Sequence, residues 1–180
     1  MDFNLKRLLT FPNILTFLRL ASSVPIYFLI TEGLWRIAAT FFILSCLTDF
    51  IDGAIARKNN QATDFGARLD HASDAVLATA TIAALGTQGV LPGLLGVMVP
   101  IAFLQYFLDS GDPGNAKMVP SRLGKWNGIG YLLISGISLI WLAADQRILD
   151  EVTLLFFGSF LCVTTALSMA ERLYLFFTRE

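Results

Sequence analysis

Six apolar runs dominate the chain, each close to the ~20 residues that a helix needs to cross the hydrocarbon core of a bilayer. The first is "FPNILTFLRLASSVPIYFLI", Phe11–Ile30. The others cover roughly Leu34–Ile55, Asp64–Leu85, Leu91–Leu108, Leu123–Ala144 and Val152–Phe177. The connectors between them carry Gly, Pro, Asn and Asp, the residues of turns. Composition decides which solvent these runs face. Hydrophobic residues make up 55% of 180 and charged residues 15%, whereas a soluble domain carries about a quarter charged residues. A chain this short cannot hide so much apolar surface from water.

The expected fold is therefore all-α: a polytopic membrane protein with six transmembrane helices in a single domain over residues 1–180. The opening "MDFNLKRLLT" reads as a short amphipathic helix on the membrane surface. The first apolar run lacks a small-residue cleavage site, and further runs follow it, so it reads as a span and not as a cleaved signal. Cys46 and Cys162 both lie within apolar runs and read as small buried hydrophobes. The formal net charge of −1 offers nothing to a nucleic acid.

Basic residues set the expected orientation. With the N-terminus in the cytoplasm, the cytoplasmic segments hold Lys6, Arg7, Arg57, Lys58, Lys117, Arg122, Lys125, Arg172 and Arg179. The external loops hold only Arg36 and Arg147, while Arg19 and Arg68 lie within spans. Nine against two places both termini inside. It also places the charged stretch "DFIDGAIARKNNQATDFGARLDHASD", Asp49 to Asp74, around one cytoplasmic turn.

Asp49 and Asp52 are three apart near the end of the second span, and Asp70 and Asp74 are four apart near the start of the third. Each pair shares a helix face, so two neighbouring helices can bring four carboxylates to one point. Such a group repels itself strongly in a low dielectric, and ionisable groups in a membrane require partners. Oxygen-only ligands suit Mg²⁺ or Mn²⁺. Two such ions balance four carboxylates and match the two-metal arrangement of phosphoryl chemistry. Gly53 and Ala56 keep bulk away beside the first pair, which suits either an approaching ligand or a tight helix crossing. Arg57 suits either a phosphate or the membrane interface. Asp64 and Arg68 stand four apart, as a surface ion pair would. His71 stands alone beside Asp70 and builds no histidine-based metal site.

Written out, the stretch is Asp49-x2-Asp52-Gly53-x2-Ala56-Arg57-x8-Gly66-x3-Asp70-x3-Asp74. This resembles the signature of the CDP-alcohol phosphotransferase family, D-x2-D-G-x2-A-R-x8-G-x3-D-x3-D, at all eight fixed positions. The opening "FPNILTFLRL" is similar to the start of the first span in bacterial phosphatidylglycerophosphate synthases and cardiolipin synthases.

The resemblance implies an enzyme of the bacterial inner membrane with a cytoplasmic active site. It would move a phosphatidyl group from CDP-diacylglycerol, or a related CDP-linked donor, to an alcohol hydroxyl and release CMP. It further implies that Asp49, Asp52 and Asp70 bind metal, and that Asp74 touches the second metal and takes the hydroxyl proton. Gly53, Ala56, Arg57 and Gly66, beside Asp49, Asp52 and Asp70, would hold the CDP moiety. Membrane lipids surround such a protein, and a homodimer is the assembly the resemblance suggests. Around the last two aspartates many phosphatidylglycerophosphate synthases read LDPxADK; this chain reads "LDHASDA", with His71 and Ala75 in place of Pro and Lys. Glycerol 3-phosphate, phosphatidylglycerol, an inositol phosphate and an amino alcohol all stay open as acceptor. Lys117, Arg122 and Lys125 of "KMVPSRLGKWNG" could hold an acceptor phosphate, or could simply follow the positive-inside rule. A cation transporter built on intramembrane carboxylates would explain the acidic residues but not the Gly53, Ala56, Arg57 and Gly66 spacing. A non-catalytic family member would not require all eight fixed residues.

Overall fold

The structure, a computed structural model, describes residues 11–58, 64–109, 122–144 and 150–177; the side chains of residues 11–12, 52–58, 64–65, 109 and 176 lie outside that description. The expected surface helix at the N-terminus also lies outside the described residues.

The described residues form six helices and no strand: α1 Phe11–Thr31, α2 Trp35–Lys58, α3 Asp64–Thr87, α4 Gly93–Asp109, α5 Arg122–Ala143 and α6 Glu151–Phe177. They match the six apolar runs to within about three residues at each end. Three of them contain stretches long and apolar enough to cross a membrane: Asn13–Thr31, Arg122–Ala143 and Glu151–Leu175. Helix α4 is apolar but shorter. Helices α2 and α3 carry the acidic and basic residues of the Asp49–Asp74 stretch, which lowers their mean hydropathy.

Local chemistry sets the ends. Gly33 and Gly89 both sit at φ 73°, a left-handed conformation that glycine adopts without a Cβ penalty. The Leu34 amide donates to the Leu29 carbonyl at 2.8 Å, and the Val90 amide to the Leu85 carbonyl at 3.0 Å. These bonds close α1 and α3 with the same glycine-terminated cap. Asp150 opens α6: its Oδ1 accepts from the Thr153 amide at 2.8 Å and from the Thr153 hydroxyl, satisfying a helix N-terminus.

Helix α1 packs against α2 and α3; α3 also packs on α4 and α5; α2 meets α5; and α6 closes against α4 and α5. Ile26, Ile30, Leu77, Ile82, Leu85, Leu95, Val99 and Leu139 form the centre of the core. Helices α1 and α3 run parallel. Ser73 Oγ donates to the Thr16 carbonyl and Gln88 Nε2 to the Thr31 carbonyl, both across an offset of 57 residues. Helices α3 and α4 approach so closely that a Cβ on Gly96 would lie 2.9 Å from the Ala83 Cα. Outward faces are oily: Leu18, Phe28, Phe50, Leu104, Trp126, Phe156 and Phe160 are all more than half exposed. Polar side chains such as Asn13, Thr16, Ser73, Thr81, Asn127, Ser135 and Thr165 are buried instead. Polar groups inside and apolar bulk outside is the pattern expected of a bundle solvated by lipid.

Candidate active site

The site is built at the end of the bundle where α1, α3 and α5 begin and α2, α4 and α6 finish. Helix α1 contributes a stripe of buried polar residues, Asn13, Thr16, Arg19 and Ser23, at intervals of three and four. The Arg19 side chain has no exposed surface. Its Nη1 lies 2.8 Å from Asp49 Oδ1 on α2, 2.8 Å from Asp70 Oδ1 on α3 and 3.0 Å from Asp74 Oδ1, one turn further along α3. The three carboxylates are partly exposed, at 39%, 40% and 26%.

Asp49, Asp70 and Asp74 each offer a carboxylate oxygen, and these atoms lie within 4.8 Å of one another. Converging hard oxygen donors of this kind fit a Mg²⁺ or Mn²⁺ ion. Three of the four expected carboxylates thus meet. Asp52 lies on the same final stretch of α2, as do Gly53, Ala56 and Arg57, but their side chains are outside the described residues. Gly66 is half-buried in the first turn of α3. His71 is not part of the carboxylate group.

A cavity of about 390 Å³ opens beside the carboxylates, lined among others by Asp74, His71, Tyr106, Lys125 and Arg172. Of the three clustered carboxylates, Asp74 alone lines it. Most of the remaining wall is apolar or aromatic, as in many ligand cavities of this size. Of the three basic residues expected near an acceptor, Lys125 lines the cavity. Arg122 is exposed at the start of α5 and is not among the lining residues, and Lys117 lies outside the described residues. Arg172 on α6 is the second cation in the cavity wall. Its guanidinium carbon sits 4.8 Å above the centroid of the Tyr106 ring, and His71 meets the same ring edge-on at 5.8 Å.

Sequence reasoning placed Arg19 only as a residue within a span, and Arg172 only as one cytoplasmic charge among nine. For Arg19 a signal was present: an arginine among apolar residues at membrane depth requires an acidic partner. For Arg172 and Tyr106 there was none, because their meeting depends on how α4 and α6 pack.

Comparison with known proteins places the chain in a family. Residues 9–169 match the family described as CDP-alcohol phosphatidyltransferase. A CDP-diacylglycerol–glycerol-3-phosphate 3-phosphatidyltransferase of Cereibacter sphaeroides is 39% identical over 151 residues, covering 78% of this chain and 67% of its own length. A protein of the same name from Haemophilus influenzae is 26% identical over 173 residues, covering 91% and 89%. A cardiolipin synthase (CMP-forming)/mitochondrial hydrolase fusion protein of Schizosaccharomyces pombe is 30% identical over 152 residues; the match covers 73% of this chain but only 25% of the fusion protein.

Proposed function

The chain belongs to the CDP-alcohol phosphatidyltransferase family, and from that premise we propose that it transfers a phosphatidyl group from CDP-diacylglycerol to the hydroxyl of glycerol 3-phosphate, releasing CMP. The observation that carries this reading is the position of Asp74, which belongs both to the carboxylate group and to the wall of a cavity holding Lys125 and Arg172. A phosphate-bearing alcohol suits two cations in one cavity; an amino alcohol does not. The relatives named for glycerol 3-phosphate support the same acceptor.

In this reading Asp49, Asp70 and Asp74, with Asp52 of the same stretch, hold two Mg²⁺ or Mn²⁺ ions. Those ions, when bound, supply charge neutralisation for the donor pyrophosphate and the departing CMP. Gly53, Ala56, Arg57 and Gly66 bind the CDP moiety. Lys125 and Arg172 hold the acceptor phosphate and so place its hydroxyl near Asp74. The hydroxyl oxygen forms the new bond to the phosphatidyl phosphorus as the bond to the CMP oxygen breaks. Asp74 takes the hydroxyl proton, a role for which a carboxylate must lie within hydrogen-bond reach of the reacting oxygen. All six helices span the membrane, with both termini and the site on the cytoplasmic face of a bacterial inner membrane, and the protein works as a homodimer.

The test is a panel of acceptors offered to the detergent-purified protein with labelled CDP-diacylglycerol and Mn²⁺, the lipid product being read by mass. Phosphatidylglycerophosphate is the expected product, and chelation by EDTA should stop its formation. Product from phosphatidylglycerol or inositol phosphate alone would replace the acceptor assignment. Full turnover with excess chelator would overturn the metal assignment.

A further inference from the structure

Arg19 is the one charged side chain among the described residues that is buried. A buried guanidinium without a partner is costly, and so are three converging carboxylates. Each problem is solved by the other. The contact is unusual in form: a single nitrogen, Nη1, serves one oxygen of each of three carboxylates drawn from two helices. That nitrogen lies at the focus of the three Oδ1 atoms, where a cation using those same oxygens would also lie. The charge count follows: three carboxylates and one guanidinium carry −2.

Two cations cannot share three oxygens without repelling one another. A divalent ion must therefore use the remaining oxygens beside the guanidinium, or displace it. In both arrangements the charge of Arg19 opposes the ion. We propose that Arg19 is an internal counterion that holds the acidic group together and at the same time weakens divalent-ion binding to it. The residue thus sets the ion affinity of the site. This rests on the metal-binding reading given above. It makes Arg19 a positioning residue that acts through Asp49, Asp70 and Asp74, not a catalytic one.

The sign of one measurement separates this role from a merely supporting one. Loss of a group that only orients metal ligands typically weakens binding by about 10- to 100-fold. Loss of a like charge a few ångströms from the ion should instead tighten binding by at least ~10-fold at the effective dielectric of a partly buried site. The experiment is Mn²⁺ titration of detergent-purified wild-type, Arg19→Gln and Arg19→Lys proteins, with free Mn²⁺ read by electron paramagnetic resonance. Thermal unfolding is followed in parallel in EDTA and in Mn²⁺. Arg19→Gln should bind Mn²⁺ at least ~10-fold more tightly than wild type. It should also melt lower than wild type in EDTA and gain more from added Mn²⁺. Arg19→Lys, which keeps the charge, should bind within a few-fold of wild type. Equal or weaker Mn²⁺ binding by Arg19→Gln overturns the proposal. So does failure of that variant to accumulate as folded protein when it is expressed and purified in Mn²⁺, because an ion that competes with Arg19 should be able to replace it. Absence of Mn²⁺ binding by the wild-type protein would overturn the metal reading itself, and this inference with it.

Discussion

The guanidinium of Arg172 sits over the ring of Tyr106, its central carbon 4.8 Å from the ring centroid. A cation over an aromatic face gains about 0.5–2 kcal/mol, more when desolvated. Here the contact fixes the direction of a long side chain that would otherwise sample many rotamers. Tyr106→Leu should raise the KM for glycerol 3-phosphate about 3- to 30-fold, the range that interaction spans, with kcat changed less. Tyr106→Phe should stay near wild type. Steady-state kinetics on both variants check this, and equal KM values for Leu and wild type would detach Arg172 from the acceptor.

Asp74 should differ in kind from Asp49. A general base contributes about 10²–10⁴ in rate. Asp74→Asn should therefore lose at least ~10² in turnover while still binding a CDP-containing ligand in a metal-dependent way. Asp49→Asn should lose that binding as well. A binding titration beside a rate measurement decides the matter. Parallel losses in both variants would make Asp74 only another ligand.

Gly96 separates packing from chemistry. A Cβ there would meet the Ala83 backbone at 2.9 Å, so Gly96→Val should cost about 1–3 kcal/mol. It should lower the melting temperature without changing the response to EDTA. Gly128, with nothing within 4 Å of its added Cβ, provides the contrast: Gly128→Ala should leave the melting temperature unchanged or raise it slightly. Scanning fluorimetry in detergent distinguishes the two.

Asp150 gives a pH signature away from the membrane-embedded residues. Its hydrogen bonds from the Thr153 hydroxyl and amide hold its carboxyl below the usual aspartate value. A depressed acid stabilises the fold above its unfolded pKa, about 3.9, and that contribution is lost as pH falls through the folded value. Asp150→Ala should thus melt lower than wild type at neutral pH, with the gap closing below about pH 4. A gap that persists unchanged to pH 2 would assign the effect to something other than the carboxylate.

Much of this architecture is legible before any coordinates. The six apolar runs become six helices, three of them with stretches long and apolar enough to cross a membrane, and the Gly-bearing connectors fall where α1 and α3 stop. Spacings of three and four already put Asp49 with Asp52, and Asp70 with Asp74, on shared faces and aim all four at a common point; among the described residues Asp49, Asp70 and Asp74 meet there. What spacing cannot supply is the partner across the interface. Charge balance drawn from the aspartates alone omitted Arg19, because residue 19 lies 30 positions before Asp49 and only the packing of α1 against α2 and α3 joins them. Arg172 and Tyr106 were hidden for the same reason. Arg122 and Lys125 are three apart on one helix, yet Lys125 lines the cavity and Arg122 does not.

The constant offset between α1 and α3 has a mechanical consequence. Tethers at Thr16–Ser73 and Thr31–Gln88 flank Arg19 along α1, and Asp74 lies between Ser73 and Gln88 while Asp70 lies about one turn before Ser73. Two tethers at one offset act like two pins through a pair of rulers: neither helix can slide past the other without breaking both. Any exchange of partners at Arg19 is therefore left to the torsions of one side chain. Rotamer motion is fast on the scale on which helices shift register, even when burial slows it beyond the picoseconds to nanoseconds of exposed groups. A change of occupancy at the carboxylates would then register as a local swing of one guanidinium, with the surrounding scaffold standing still.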